Sequence, residues 1–345
     1  MTDFRLKLQN AVRGGRWFAT RFLRHPTIVS SLLITSVIFG IRQLSGLQSL
    51  ELLTFDQMTR WRPDAGPDSR LLIVTITEED IRQQNRWPLS DESVAQLLAT
   101  LQQYRPRAIG LDLYRDVPHP PGNAALLEQL RRPNVISIQL LESAGAGGVS
   151  PPRGVPETQI GFSDFLVDPD ATIRRNFLFA ATKTERWFSF SLRSSLRYLA
   201  ADNQQLQVTP TSLQIGTAVF TPLTRTSGGY EALDDRGYQV LLNYRSAANV
   251  ARQVTLTQVL SSTIPADWVT DKLVLIGTTA PSAKDLFLTP HNFASDRSPS
   301  MPGVLVHAQM ASQILSVVLD GQPLVWFWSE AGELGWIWAW SIVGG

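Results

Sequence analysis

Residues 25–44, HPTIVSSLLITSVIFGIRQL, constrain this chain more than any other stretch. Twenty helical residues at about 1.5 Å each reach roughly 30 Å, the thickness of a bilayer's hydrocarbon core. The single charge, Arg42, lies near the far end, where its long side chain can extend to the headgroups. Ser30, Ser31, Thr35 and Ser36 lower the hydropathy, but helical hydroxyls can bond the preceding turn or a neighbouring helix. Arg5, Lys7, Arg13, Arg16, Arg21 and Arg24 precede the segment against a single acid, Asp3. Such a basic excess stays on the cytoplasmic side, which places everything past about residue 45 outside. A cleaved signal sequence fits less well, because the charged leader is long and no small-x-small pattern occurs around Ser45 and Gly46. A buried core helix leaves the basic block beside it unexplained.

The other end has a related character. Five of the ten tryptophans (Trp326, Trp328, Trp336, Trp338, Trp340) fall in the last twenty residues, and no Lys or Arg follows Arg297. Tryptophan favours the headgroup boundary. Residues 334–345 are apolar but reach only about 18 Å as a helix, so they read as the start of a second membrane helix. The formal charge of +1 therefore joins a basic start to a slightly acidic remainder. With no basic stripe in that remainder, no nucleic-acid partner is expected. The absence of cysteine excludes a disulfide framework and a thiolate zinc site, and suits an oxidising compartment. The expected organisation is a cytoplasmic stub (1–24), a membrane helix (25–44), an external domain (45–330) opening with a stalk helix (45–62), and the start of a second membrane helix (331–345).

Between the ends, β-type runs alternate with helical ones. This is the pattern of an α/β fold with a mixed, largely parallel central sheet flanked by helices. Residues 71–76, 108–113, 135–140, 238–243 and 273–276 are nearly continuous apolar runs, suited to central strands covered on both faces. From Asp91 onward, Val94, Leu97, Leu98 and Leu101 predict a helix by their spacing. Amphipathic helices are also expected over 188–199 and about 306–319. Residues 144–157 and 291–302 are Gly/Pro-rich loops, the first joining either two domains or two strands of one sheet.

No familiar catalytic motif is present. Gly145, Gly147 and Gly148 follow a strand, but Pro151 and Pro152 stop the helix that a dinucleotide-binding turn requires. There is no Walker A loop, His-Glu-x-x-His or nucleophile elbow, and no cofactor or metal site is expected. What remains is a set of polar groups at the carboxyl ends of the expected strands, where open α/β sheets hold ligands. Glu78 and Glu79 follow the first strand, Asp112 sits in AIGLDL, Thr278 and Thr279 end the last strand, Asp285 follows, and His307 opens a helix.

Each of these has a structural alternative. Asp112 either caps a neighbouring turn or meets a ligand, since a carboxylate is costly to bury ionised and alone. The Gly277-Thr278-Thr279 turn either caps itself or presents donors to an anion. His307 is either a hydrogen-bonded structural residue or a ligand contact, with the positive helix end disfavouring its charged form. Asp116 and His119 share a proline-rich loop without a third metal ligand. Arg174 and Arg175 are expected to pair back onto Asp168 and Asp170 across a turn.

In order and spacing, residues from about Phe55 to Trp326 resemble an extracellular CHASE2 sensory domain. The resemblance rests on residues 72–77 with Trp87-Pro88, then Ala108-Ile109-Gly110-Leu111-Asp112, Gly161, Asp168-Pro169-Asp170 with Arg174-Arg175, and Asn243-Tyr244-Arg245. Its most specific part runs from Lys272 through Gly277-Thr278-Thr279-Ala280, Lys284-Asp285, Thr289-Pro290 and Pro302-Gly303-Val304 to His307-Ala308. The resemblance implies an input domain between a first membrane helix and following helices, coupled to a cytoplasmic histidine kinase, Ser/Thr kinase or cyclase. It names no signal. Two departures stand out: the family's aromatic, proline and arginine after Trp-Pro are here Leu89, Ser90 and Asp91, and its later acid is Asn123.

The functional expectation is a bilayer-anchored sensory module that receives a small-molecule or protein signal at Glu78, Asp112, Thr278, Thr279, Asp285 and His307. A homodimer through the stalk and membrane helices accompanies it. One alternative is an extracytoplasmic metal-assisted hydrolase using Asp112, Asp285 and His307, which must then converge on one cavity. Another is a scaffold dimerising through the stalk and the 306–319 helix, which requires an apolar outer face there.

Overall fold

A computed structural model describes residues 25–344 apart from 143–146, 183–184, 210–211, 247–248 and 292–299. The basic stub, Gly145 and most of the 291–302 loop lie outside the described residues. The chain divides into two compact units, one of Met1–Phe55, Thr224–Asp234 and Trp326–Gly345, the other of Asp56–Leu223 and Asp235–Val325. Helix α1, Pro26–Gln43, belongs to the first unit and opens on proline, whose missing N–H would have no partner there anyway. Among the described residues it is the one helix long and apolar enough to cross a membrane. Helix α2, Gln48–Trp61, is the expected stalk helix, and the unit boundary falls inside it after Phe55.

The second unit carries the α/β fold. In chain order it contains β1 (Leu71–Ile76), α3 (Glu78–Gln84), α4 (Asp91–Gln103), β2 (Ala108–Leu111), α5 (Asn123–Leu130), β3 (Val135–Gln139) and β4 (Ile160–Phe162). Then come β5 (Arg175–Ala181), β6 (Arg186–Phe188), α6 (Phe190–Leu199), β7 (Leu206–Val208), β8 (Leu213–Ile215), β9 (Ala218–Phe220) and β10 (Tyr238–Leu241). The unit ends with β11 (Arg252–Thr255), α7 (Leu256–Leu260), β12 (Leu273–Thr278), β13 (Leu286–Phe287), β14 (Met301–Pro302) and α8 (Gly303–Leu319). Six strands form one parallel sheet in the order β11-β1-β12-β2-β3-β4. Successive residues of a strand face opposite ways. Leu72, Val74, Ile76, Ile109 and Val274 accordingly pack with Leu97 and Leu98 of α4, Leu130 of α5 and Val259 of α7. Leu71, Ile73, Ala108 and Leu275 face the other side, with Phe190 and Leu192 of α6 and Val304 and Ala308 of α8.

Three features differ from the sequence pattern. The 238–243 run is not in the parallel sheet: β10 pairs antiparallel with β5, and β5 with β6, in a second sheet. Apolar continuity reports burial, and β10 is buried throughout without belonging to the central sheet, with Gln313 of α8 reaching its Leu241 carbonyl. The parallel edge is taken instead by β11, whose Arg252 and Gln253 face solvent and break any apolar run. Helix α8 is buried all round rather than amphipathic, because the parallel sheet lies on one side and Ile173, Leu242 and Tyr244 on the other. Its polar residues are satisfied internally, with Gln309 reaching the Arg245 N–H (2.8 Å) and Gln313 the Leu241 carbonyl (2.8 Å). Helix α8 thus lacks the apolar outer face that the scaffold alternative asks of it, while Leu50, Leu53 and Met58 of α2 are exposed. The loop after β3 leads into β4, the neighbouring strand of the same sheet, and so does not separate domains.

The arginine pair behaves as expected and more. Arg174, 1% exposed, bonds Asp168 (2.8 Å) and Asp170 (2.5 Å), and Arg175 bonds Asp168 (2.7 Å). Arg174 also makes a two-pronged bond to Asp56 at the start of this unit, with both contacts at 2.7 Å.

The first unit closes with α9, Glu330–Gly344, which packs along α1. Ser31 Oγ donates to the Ser341 carbonyl (2.9 Å), and the Thr35 and Ser341 hydroxyls meet at 3.2 Å. Arg42 does not simply extend to solvent. It is buried among Glu51 (3.1 Å), Glu231 (2.6 Å) and Glu333, and it donates to the Gly228 carbonyl (3.2 Å). Burial raises the Glu51 and Glu231 carboxyls while the Arg42 charge pulls them down, so three acids share one guanidinium.

Candidate functional site

Because the strands are parallel, β12, β2, β3 and β4 present their carboxyl ends on one side of the sheet. A cavity of about 670 Å³ opens there, within the roughly 300–1,000 Å³ of small-molecule sites. Trp87, Tyr114, Ile138, Leu140, Phe165 and Phe287 supply its apolar walls, and Asp112, Asp164, Asp285, Ser163, Thr278 and His307 its main polar groups.

Asp112 directly follows β2, its N–H held by the Ile276 carbonyl of β12 (2.8 Å). Its side chain is 8% exposed and, among the described residues, accepts no hydrogen bond; His307 Nε2 lies 3.9 Å away. Burial, reinforced by the neighbouring Asp285, holds this carboxyl well above the usual carboxylate range. Asp285 is brought in by the helix N-terminus: the Gly303 N–H donates to the Asp285 carbonyl (3.1 Å). A side chain at Gly303 would strike the Asp285 carboxyl, with a Cβ only 2.5 Å from Oδ2, so glycine here is what admits the acid. Burial raises Asp285 and the Gly303 N–H opposes the rise. Gly277 has the parallel role for the helix itself, since a Cβ would sit 2.6 Å from Cβ of Val304.

His307 is wedged between Phe165 (ring centroids 4.4 Å) and Phe190 (5.0 Å). Desolvation pushes it down to about 3, so it is neutral at ordinary pH. Its Nδ1 is buried without a partner. Thr278 lines the cavity and also caps its own turn, accepting from the Ala280 N–H (3.2 Å).

Of the six candidates read from the sequence, Asp112, Thr278, Asp285 and His307 therefore gather around one cavity. Glu78 and Thr279 do not line it. Glu78 accepts the Ser282 N–H (2.7 Å), tying α3 to the turn after β12, and the Thr279 N–H donates to the Ile76 carbonyl (3.0 Å). Asp116 and His119 line the cavity too, yet no three His, Asp or Glu side chains among the described residues are grouped closely enough to hold a metal ion.

Two residues escaped the sequence pattern. Asp164 follows β4, a strand of three residues too short to register as an apolar run. Burial raises its carboxyl, against the Leu141 N–H that it accepts (3.0 Å). Tyr114 shares a hydrogen bond with Ser163 (2.8 Å) across the cavity wall.

The model of the CHASE2 domain family matches residues 33–345. The chain belongs to the CHASE2 family. CHASE2 domains are extracellular sensory domains of signal-transduction receptors, not catalytic modules, and α1 fits the membrane anchor such a domain needs. No curated protein and no solved structure matches the chain.

The two departures of this CHASE2 domain from the family pattern touch one another. Asp91, fully buried at the start of α4, accepts from Asn123 Nδ2 (3.0 Å) and from the His119 N–H (3.0 Å), with Arg115 at 3.8 Å. His119 and Arg115 are also cavity residues, so Asp91 and Asn123 support one wall of the cavity in this CHASE2 domain.

Proposed function

We propose that the α/β unit is the extracytoplasmic input domain of a membrane-bound receptor, with the cavity at the carboxyl ends of β12, β2, β3 and β4 as the place where the signal is received. A ligand or partner there biases the domain between two arrangements. Membrane helices relay the bias to a cytoplasmic kinase or cyclase that is not among these residues. The observation that carries the reading is a cavity of ligand size in a sensory-family domain, lined by acids from separate elements and by His307, whose Nδ1 is buried without a partner. Cytoplasmic placement of the N-terminus follows from the basic block before α1. Differential affinity of a few kcal/mol between the two arrangements is enough to shift such a population usefully.

The test is to fill the cavity in the full-length receptor with Ser163→Trp and measure kinase or cyclase output in membranes. Output frozen at one level, with unchanged insertion and melting, is the expected result. A response like that of the unaltered receptor would remove the cavity from the signalling route. For the metal-assisted hydrolase alternative, Asp112, Asp285 and His307 do line one cavity, but no three His, Asp or Glu side chains among the described residues are grouped to hold a metal ion, so it stands second.

A further inference from the structure

The cavity's charge is unbalanced in a particular way. Asp112, Asp164 and Asp285 come from three separate segments, and among the described residues none forms an ion pair with a lysine or arginine. The two cationic side chains of the lining do not answer them: Arg115 is turned to the Leu89 carbonyl (3.1 Å) and Asp91 (3.8 Å), and Lys284 is exposed. His307, 2% exposed, cannot supply the missing charge, because between its aromatic neighbours it is neutral, and its Nδ1 has no partner. Asp112 likewise accepts no hydrogen bond among the described residues. The site thus gathers acids without a cationic partner among the described residues.

The acids also do not converge on a point, since no group of three among the described residues could hold a metal ion. They are spread around a cavity of about 670 Å³ walled by Trp87, Tyr114, Phe165 and Phe287. A cation placed near aromatic faces is attracted by their quadrupoles. The complement to such a site is a positive charge on a body large enough to fill it, with several N–H donors.

We infer that the cavity recognises a small organic cation, an ammonium or guanidinium compound with an apolar body, whose N–H groups Asp112, Asp285 and His307 accept. Burial favours the neutral form of both carboxyls, and a cation supplies the charge that draws them into their ionised form, which a neutral ligand cannot do. This inference rests on the cavity being the sensory site, and it can fail separately.

Full chain in lipid nanodiscs is titrated calorimetrically with phenethylamine and agmatine, and with phenethyl alcohol as the neutral analogue of the first. Binding of at least one amine, no binding of the alcohol, and a loss of about tenfold or more in both Asp112→Asn and Asp285→Asn is the expected result. Equal binding of amine and alcohol overturns the cationic class, as does binding of magnesium or calcium alone, or of neither amine. In each of these cases the Ser163→Trp output experiment still decides whether the cavity receives a signal.

Discussion

Asp112 sits where a carboxylate is least comfortable: it is desolvated, it faces another acid, and no hydrogen bond to its side chain exists among the described residues. Stability alone does not account for such a residue, so it is expected to cost folding free energy. Asp112→Asn keeps the shape and should stabilise the domain by about 1–3 kcal/mol near neutral pH, read as a rise in Tm. The pH dependence follows from the direction of the shift. A carboxyl raised in the fold contributes stability that is fully present below its ordinary 3.8 and lost as pH rises through the folded value. The advantage of the variant should vanish in acid and grow toward neutrality. His307 acts in the opposite sense, losing stability as pH falls from about 6.5 toward about 3, but it does so in both proteins. A lower Tm for Asp112→Asn at neutral pH would mean that the carboxylate is structural, the alternative left open by the sequence.

At the scale of elements, the first unit is held together by the pairing of α1 with α9. Were both helices in lipid, as the proposed receptor reading has them, pairing would gain nothing from apolar burial, and hydroxyl contacts such as Thr35 to Ser341 and the buried ion cluster would carry the specificity. Arg42 joins the end of α1 to α2 through Glu51, to the 224–234 segment through Glu231, and to α9 through Glu333. The chain has no native cysteine, so an engineered pair reports cleanly. Thr35→Cys with Ser341→Cys should cross-link within one chain under mild oxidation. Adding Arg42→Gln should slow that cross-linking several-fold, because three carboxylates are then left facing one another without a cation. An unchanged rate would show that the hydroxyl contacts alone hold the helices.

For the whole molecule, orientation across the bilayer sets what the cavity can meet. Ser69→Cys in the α/β unit should react with an impermeant maleimide added outside right-side-out membranes, and Asn10→Cys only after permeabilisation. The reverse pattern would place the cavity in the cytoplasm and end the extracytoplasmic reading. The basic block predicts the first outcome, since translocating six cations is more costly than retaining them.

The sequence by itself determined what depends on neighbours along the chain. An apolar segment of spanning length, strands β1, β2, β3 and β12, helix α4 and the Arg174–Asp168–Asp170 turn were all legible as local periodicity or local charge pairing. The position of Asp112 at a strand end already marked it as a candidate. Only the tertiary structure decided which candidates meet. Glu78 and Asp112 are both near strand ends in sequence, yet one ties α3 to a backbone turn and the other faces a cavity. β10 reads like a central strand and belongs to another sheet, while Asp56, Asp164 and Glu231 gain their partners or their place from residues far along the chain. Periodicity encodes how much of a residue is buried, not against what. The partner is set by strand order and by glycines such as Gly277 and Gly303, which let α8 approach closely enough to bring Asp285 and His307 to Asp112.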